Sequence, residues 1–194
     1  MKRGAGFSLV EMLVVLVIMA ILLGLGLPSY RVYMANQKVL STAEVFMAGL
    51  QMARGEAVKL NRRTEFLLTD DAPVPASVDT ATASTTGRNW IVRALATGGN
   101  TFVEGKSGAE GSGAATSGAS PIAVAGSVAA ITFDGFGMPV GLATTATFDF
   151  SNPQAGACAP AGPVRCPRVR ISRGGQTRLC DPAVAATDTR SCGT

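Results

Sequence analysis

From Met12 to Tyr30 the chain runs nineteen residues without a charge, and this stretch limits the fold more than any other feature. At 1.5 Å per residue a helix of that length spans about 28 Å, close to the ~30 Å hydrocarbon core of a bilayer. A secretory signal has a shorter apolar region, about 7–15 residues, closed by small residues ahead of the cut. Here the small residues Gly4, Ala5 and Gly6 precede the apolar run. Lys2 and Arg3 stand before them, which places the N-terminus in the cytoplasm. The segment reads as a membrane-spanning helix with the rest of the chain on the far side.

Glu11 interrupts this pattern. An unpaired carboxylate inside an apolar segment costs on the order of 3 kcal/mol, so Glu11 needs a partner or a place among the headgroups at the helix end. A cut between Gly6 and Phe7 would give Phe7 a free ammonium one helical turn from Glu11, on the same chain or on a neighbour. Gly6-Phe7-Ser8-Leu9-Val10-Glu11 and the apolar run after it resemble the class III signal of type IV pilins and type II secretion pseudopilins. The resemblance implies that a prepilin peptidase cuts after Gly6 and methylates Phe7. It implies that Glu11 pairs with a neighbour's N-terminus during filament assembly, and that Pro28 is the helix-kinking proline of many such proteins. The implied partners are other pilins or pseudopilins, the peptidase and an inner-membrane assembly platform. Residues 1–6 are then a cleaved leader and residues 7–30 the transmembrane and assembly helix. The alternative is a single-pass membrane protein with an uncleaved anchor.

Beyond Pro28 the pattern becomes amphipathic. Val39, Ala43, Phe46, Leu50, Ala53, Ala57 and Leu60 recur at spacings of three and four, which marks one face of a helix running to about Asn61. Lys38, Glu44, Arg54, Glu56 and Lys59 fall elsewhere. Gly24, Gly26 and Pro28 are expected kink or melting points. Residues 31–62 are therefore the amphipathic half of one long helix, whose apolar face is expected to pack on the chain's own C-terminal sheet.

Residues 63–194 read as a β-rich globular domain. Strands are expected at 64–69, 89–95, 127–133, 146–150, 168–172 and 177–180, with Asp134-Gly135 and Gly174-Gly175 as turn signals. Two stretches, 70–87 and the Gly-rich 98–127, read as mobile surface loops. The expected class is α+β: a long N-terminal helix on a small, mainly antiparallel sheet domain. Ala53-Arg54-Gly55-Glu56-Ala57, Trp90, Ile131–Pro139 and the closing strand-turn-strand to Cys180 are together similar to the GspH/FimT branch of minor pilins. That resemblance implies a pilin fold with one or two small sheets.

The chemistry of the chain is sparse. It contains no His, which removes Ser/His/Asp and Cys/His nucleophile arrangements and every His-ligated metal site. No catalytic constellation, metal site or cofactor is expected, and the Asp70-Asp71 pair reads as a solvated turn. The four cysteines, Cys158, Cys166, Cys180 and Cys192, contain no CxxC spacing. Outside the cytoplasm an even count favours two disulfides. Three pairings are open, and the local one, Cys158–Cys166 with Cys180–Cys192, is preferred.

The net charge is +4, falling to +2 once Lys2 and Arg3 are removed. The C-terminal third is basic, with Arg165, Arg168, Arg170, Arg173 and Arg178 close together. Strand alternation puts Arg168 and Arg170 on one face and Val169 and Ile171 on the other. The plain reading is a solvated strand face or a subunit contact. Guanidinium forks also suit phosphates, and some FimT-like minor pilins are linked to DNA uptake through arginine-rich C-terminal segments. Extracellular DNA bound at a pilus tip is therefore the second functional reading. Aromatic groups for base stacking are missing from the cluster, so such binding would be sequence-independent.

Overall fold

A computed structural model describes residues 8–108 and 121–193. One helix, α1 (Leu9–Leu60), leads into eight strands: β1 (Thr64–Thr69), β2 (Asn89–Ala94), β3 (Thr101–Lys106), β4 (Ala123–Gly126), β5 (Ala130–Phe133), β6 (Ala146–Ser151), β7 (Arg168–Ile171) and β8 (Thr177–Cys180). The strands form two four-stranded sheets in the orders β3-β2-β1-β5 and β4-β6-β7-β8. Every pairing is antiparallel. The expected α+β class and long N-terminal helix are therefore present.

At 1.5 Å per residue the 52-residue α1 is about 78 Å long. It runs unbroken through Gly24, Gly26 and Pro28, the expected kink or melting points, with no melted turn in the single chain. Pro28 lacks the N–H that would reach the Gly24 carbonyl, and one missing bond within so long a ladder leaves the flanking turns intact. The helix ends at Asn61, whose backbone is left-handed at φ 46° and ψ 45°. Asparagine tolerates that region better than most residues, and its N–H closes back on Ala57 and Val58 carbonyls.

The buried face of α1 is Ala35, Val39, Ala43, Phe46, Leu50, Ala53 and Ala57. Leu60, assigned to this face from the sequence, is exposed. The left-handed cap follows one residue later, and the chain has begun to turn away from the sheets. Phe46 sits where the sheets meet. Its ring lies 4.7 Å from Phe66 in the first sheet, and 4.7 Å and 5.2 Å from Phe148 and Phe150 in the second. Gly49 lets the helix close on Trp90, since a Cβ there would fall 2.8 Å from the indole.

The expected loop at 98–127 needs correction, because β3 and β4 lie inside it. β3 (TFVEGK) is an edge strand without clean alternation, and β4 (AVAG) is only four residues long. Neither carries a period-2 signal. Residues 109–120 of that stretch lie outside the described residues. Between β4 and β5 the chain crosses from one sheet to the other. Strand β5 therefore begins at Ala130 rather than at Ser127. The 70–87 loop is pinned by Asp71, whose Oδ2 accepts from the Thr82 N–H at 2.7 Å and from the Thr69 hydroxyl at 3.2 Å.

Candidate functional site

Two regions carry the functional candidates: the free half of α1 and the arginine-rich tail. In the free half, the side chains from Leu9 to Leu22 are all exposed, Leu9 at 81% and Val10 at 69%. Nothing among the described residues of the domain covers them. Ser8 is the N-cap, with its Oγ accepting from the Glu11 N–H at 3.2 Å. This satisfies one orphan donor of the first turn and sets Glu11 at the position where the helix dipole favours a negative charge. Among the described residues the Glu11 carboxylate has no ion-pair partner. Gly6 and Phe7 lie outside the described residues, while Pro28 lies within the helix. Among the described residues no helix is long and apolar enough to cross a membrane. The 12–30 span is a feature of the sequence.

Sequence reasoning passes over Ser8 as a cap, although the signal is there: Ser-x-x-Glu ahead of an apolar run is an N-terminal capping pattern.

In the tail, the structure brings the arginines together and then spends most of them internally. Val169 and Ile171 are fully buried, while Arg168 and Arg170 lie half-buried on the opposite face. Arg168 faces Asp149 across the β6–β7 ladder in a fork, Nε to Oδ1 at 2.6 Å and Nη2 to Oδ2 at 3.0 Å. That hydrogen-bonded carboxylate raises the guanidinium pKa above its ordinary value. Arg170 and Arg178 are directly opposed on β7 and β8, an arrangement that repels unless the charges find other partners. Both reach carbonyls of the C-terminal tail: Arg170 bonds Cys192 and Gly193, and Arg178 bonds Thr189 at 2.7 Å.

Disulfides Cys158–Cys166 and Cys180–Cys192 close loops over sequence separations of 8 and 12. Loops this short are worth roughly 2–3 kcal/mol each in the chain-entropy account. The second holds the tail against β8 and presents its carbonyls to Arg170 and Arg178. Arg173 is exposed in the β7–β8 turn. Arg165 donates its backbone N–H to Asn36 Oδ1 at 2.8 Å, and its side chain lines a cavity of about 270 Å³ with Leu40, Leu179 and Arg190. Among the described residues no three His, Cys, Asp or Glu side chains are placed to hold a metal ion. Asp149, Asn36 and the tail carbonyls were illegible as partners, because each lies many residues from its arginine.

An exposed apolar rod continuous with a helix that packs on two small antiparallel sheets defines a type IV pilin-like protein. Residues 42–175 match the family model of the type II transport protein GspH, and the chain belongs to that family. Residues 1–27 match the prokaryotic N-terminal methylation motif. The fold is similar to that of the type IV minor pilin FimU of Pseudomonas aeruginosa in two crystal forms. One aligns with a TM-score of 0.53 at 22% identity, covering 80% of this chain and 96% of that one. The other has a TM-score of 0.50 at 20% identity, covering 79% and 98%. The minor pseudopilin EpsH of the Vibrio cholerae type 2 secretion system aligns at 0.44 with 14% identity, covering 75% and 97%. A comparison with curated proteins returns no match.

Proposed function

We propose that the chain is a non-enzymatic structural subunit, a minor pilin or pseudopilin, held in the inner membrane by residues 7–30 with its sheets in the periplasm. It then joins a type IV pilus or a type II secretion pseudopilus. The observation that carries this reading is the bare apolar surface of Leu9–Leu22. Such a surface needs an apolar cover. Lipid provides one before assembly, and the packed helices of neighbouring subunits provide one afterwards.

In this reading the prepilin peptidase cuts after Gly6 and methylates Phe7. The Glu11 carboxylate, without an ion-pair partner among the described residues, neutralises the Phe7 ammonium of an adjacent subunit. Leaving Glu11 unpaired in the apolar layer costs on the order of 3 kcal/mol, so the pair favours the docked subunit over the isolated one. The assembly platform acts on a subunit already biased toward its neighbours. Glu11→Val should insert and be cleaved normally yet be lost from sheared filaments. Incorporation at the wild-type level would refute the role of Glu11.

The DNA reading draws less support from the geometry. Arg168 is neutralised by Asp149, and Arg170 is half-buried against the tail carbonyls, leaving Arg165, Arg173 and Arg178 as exposed cations of the cluster. Three phosphate contacts give a log–log salt slope of only about −3. A gel shift with the Arg165→Gln, Arg173→Gln double variant tests it, and a salt slope that this variant flattens by about 2 would establish DNA binding.

A further inference from the structure

Where α1 leaves the apolar run it meets the underside of the domain, and a cavity of about 390 Å³ opens between them. Tyr30, Arg31 and Lys38 line it from the helix, and Asn152 and Gln154 line it from the loop after β6. Among the described lining residues none is acidic. Arg31 is exposed and makes no ion pair among the described residues. Asn152 is only 5% exposed, and its Oδ1 is buried without a hydrogen-bond donor. A buried acceptor left without a donor costs about 1–3 kcal/mol. Its last side-chain torsion has a broad, roughly two-fold preference, and Asn152 lines the cavity, so a turn of the amide brings Oδ1 toward a donor arriving there.

The location narrows the identity of that donor. The membrane-spanning reading ends at Tyr30, and Arg31 to Lys38 covers about 10 Å of helix. The headgroup layer is some 5–8 Å deep on each side of the hydrocarbon, so the cavity mouth lies at headgroup depth. Tyr30 and Tyr33, both exposed at this level, are the residues that favour a membrane interface. A ligand found here in quantity carries a phosphodiester, which suits the Arg31 guanidinium.

We propose that this cavity binds a phospholipid headgroup that carries a hydrogen-bond donor beyond its phosphodiester, as ethanolamine and glycerol headgroups do. Arg31 takes the phosphate and Asn152 Oδ1 accepts from the N–H or O–H. A choline headgroup has no such donor and leaves Asn152 unsatisfied. The inference rests on the single-pass reading above. Its consequence is that the domain is seated on the bilayer in a fixed orientation rather than swinging on its helix.

The test uses the full chain in micelles doped with equal amounts of ethanolamine, glycerol and choline lipids of identical acyl chains. Retained lipid is counted by native mass spectrometry. Supplying a donor to a buried, unsatisfied acceptor is worth enough for about a tenfold preference. Wild type should retain donor headgroups about tenfold over choline. Asn152→Leu should bring that ratio near one, and Arg31→Gln, a surface change, should cut retention of all three lipids. Equal retention of the three lipids by wild type, or two variants that behave like wild type, would overturn the proposal. So would displacement of the lipid by excess inorganic phosphate, which would assign the cavity to a free anion. Resistance of the chain to alkaline extraction from membranes checks the anchor separately. An anchored chain without headgroup preference sinks this inference alone, and an extractable chain sinks the anchor reading.

Discussion

Phe46→Ala tests whether one helix side chain joins the two sheets into a single core. Phe46 is 2% exposed and touches Phe66 on one sheet and Phe148 and Phe150 on the other. Truncation leaves a void whose walls belong to different sheets, so neither can move in without breaking its own ladder. Core Phe→Ala changes cost about 3–5 kcal/mol. Because the Phe46 ring packs against three other rings at once, its removal belongs in the upper half of that range, about 4–5 kcal/mol. At about 2–4 °C per kcal/mol for a domain of this size, the midpoint should fall by roughly 8–20 °C. The assay is urea and thermal unfolding of the chain from Arg31 onward, which contains every buried core residue from Ala35 to Cys192. Trp90, the sole tryptophan, reports the first sheet, and near-UV circular dichroism reports the whole. Leu60→Ala, at an exposed position of the same helix, should change stability by less than about 1 kcal/mol. If Phe46→Ala is no worse than Leu60→Ala, or if the two probes unfold at separate midpoints in wild type, the shared core is refuted.

Gly49→Ala should destabilise the protein although alanine is the better helix former by about 1 kcal/mol. The new Cβ would fall 2.8 Å from the Trp90 ring, and overpacking of this kind costs about 1–3 kcal/mol. A red-shifted Trp90 emission with a lowered midpoint is expected, and an unchanged spectrum with raised stability would contradict the packing. Asp188 should titrate at about 2 rather than 3.8, because the Arg190 guanidinium hydrogen-bonds its carboxylate. The folded pKa is depressed, so the small contribution of this pair is present above the unfolded value and fades as pH falls through about 2. A carboxyl titration by NMR checks this, and Arg190→Gln should return the midpoint toward 3.8.

The helix was legible because its apolar residues keep one period over many turns. Val39 through Ala57 all fall on the face that the spacing marks, and only the ends slip, Ala35 being added and Leu60 dropping out. Six strands were legible where alternation or a Gly-rich turn marked them, as in Ala146–Ser151 with its burial in strict alternation. β3 and β4 were not, because a partly covered edge strand and a four-residue strand carry no period of their own. The resemblance left one or two sheets open, and the assignment of strands to each was hidden, since it depends on the crossing between Gly126 and Ala130. At the functional end, the composition of the arginine cluster was visible but its commitments were not. The Arg168–Asp149 fork and the tail carbonyls around Arg170 and Arg178 exist only once β6, β7, β8 and the second disulfide are assembled.

Assembly through Glu11 requires that proteolysis create the positive chain end this carboxylate is placed to meet. Intact-mass and N-terminal peptide analysis of the native polypeptide measures this directly. A chain that begins at Phe7 with one added methyl group on its amine is the expected result. A chain that still begins at Met1 would contradict it, since no cationic terminus would then lie one turn from Glu11.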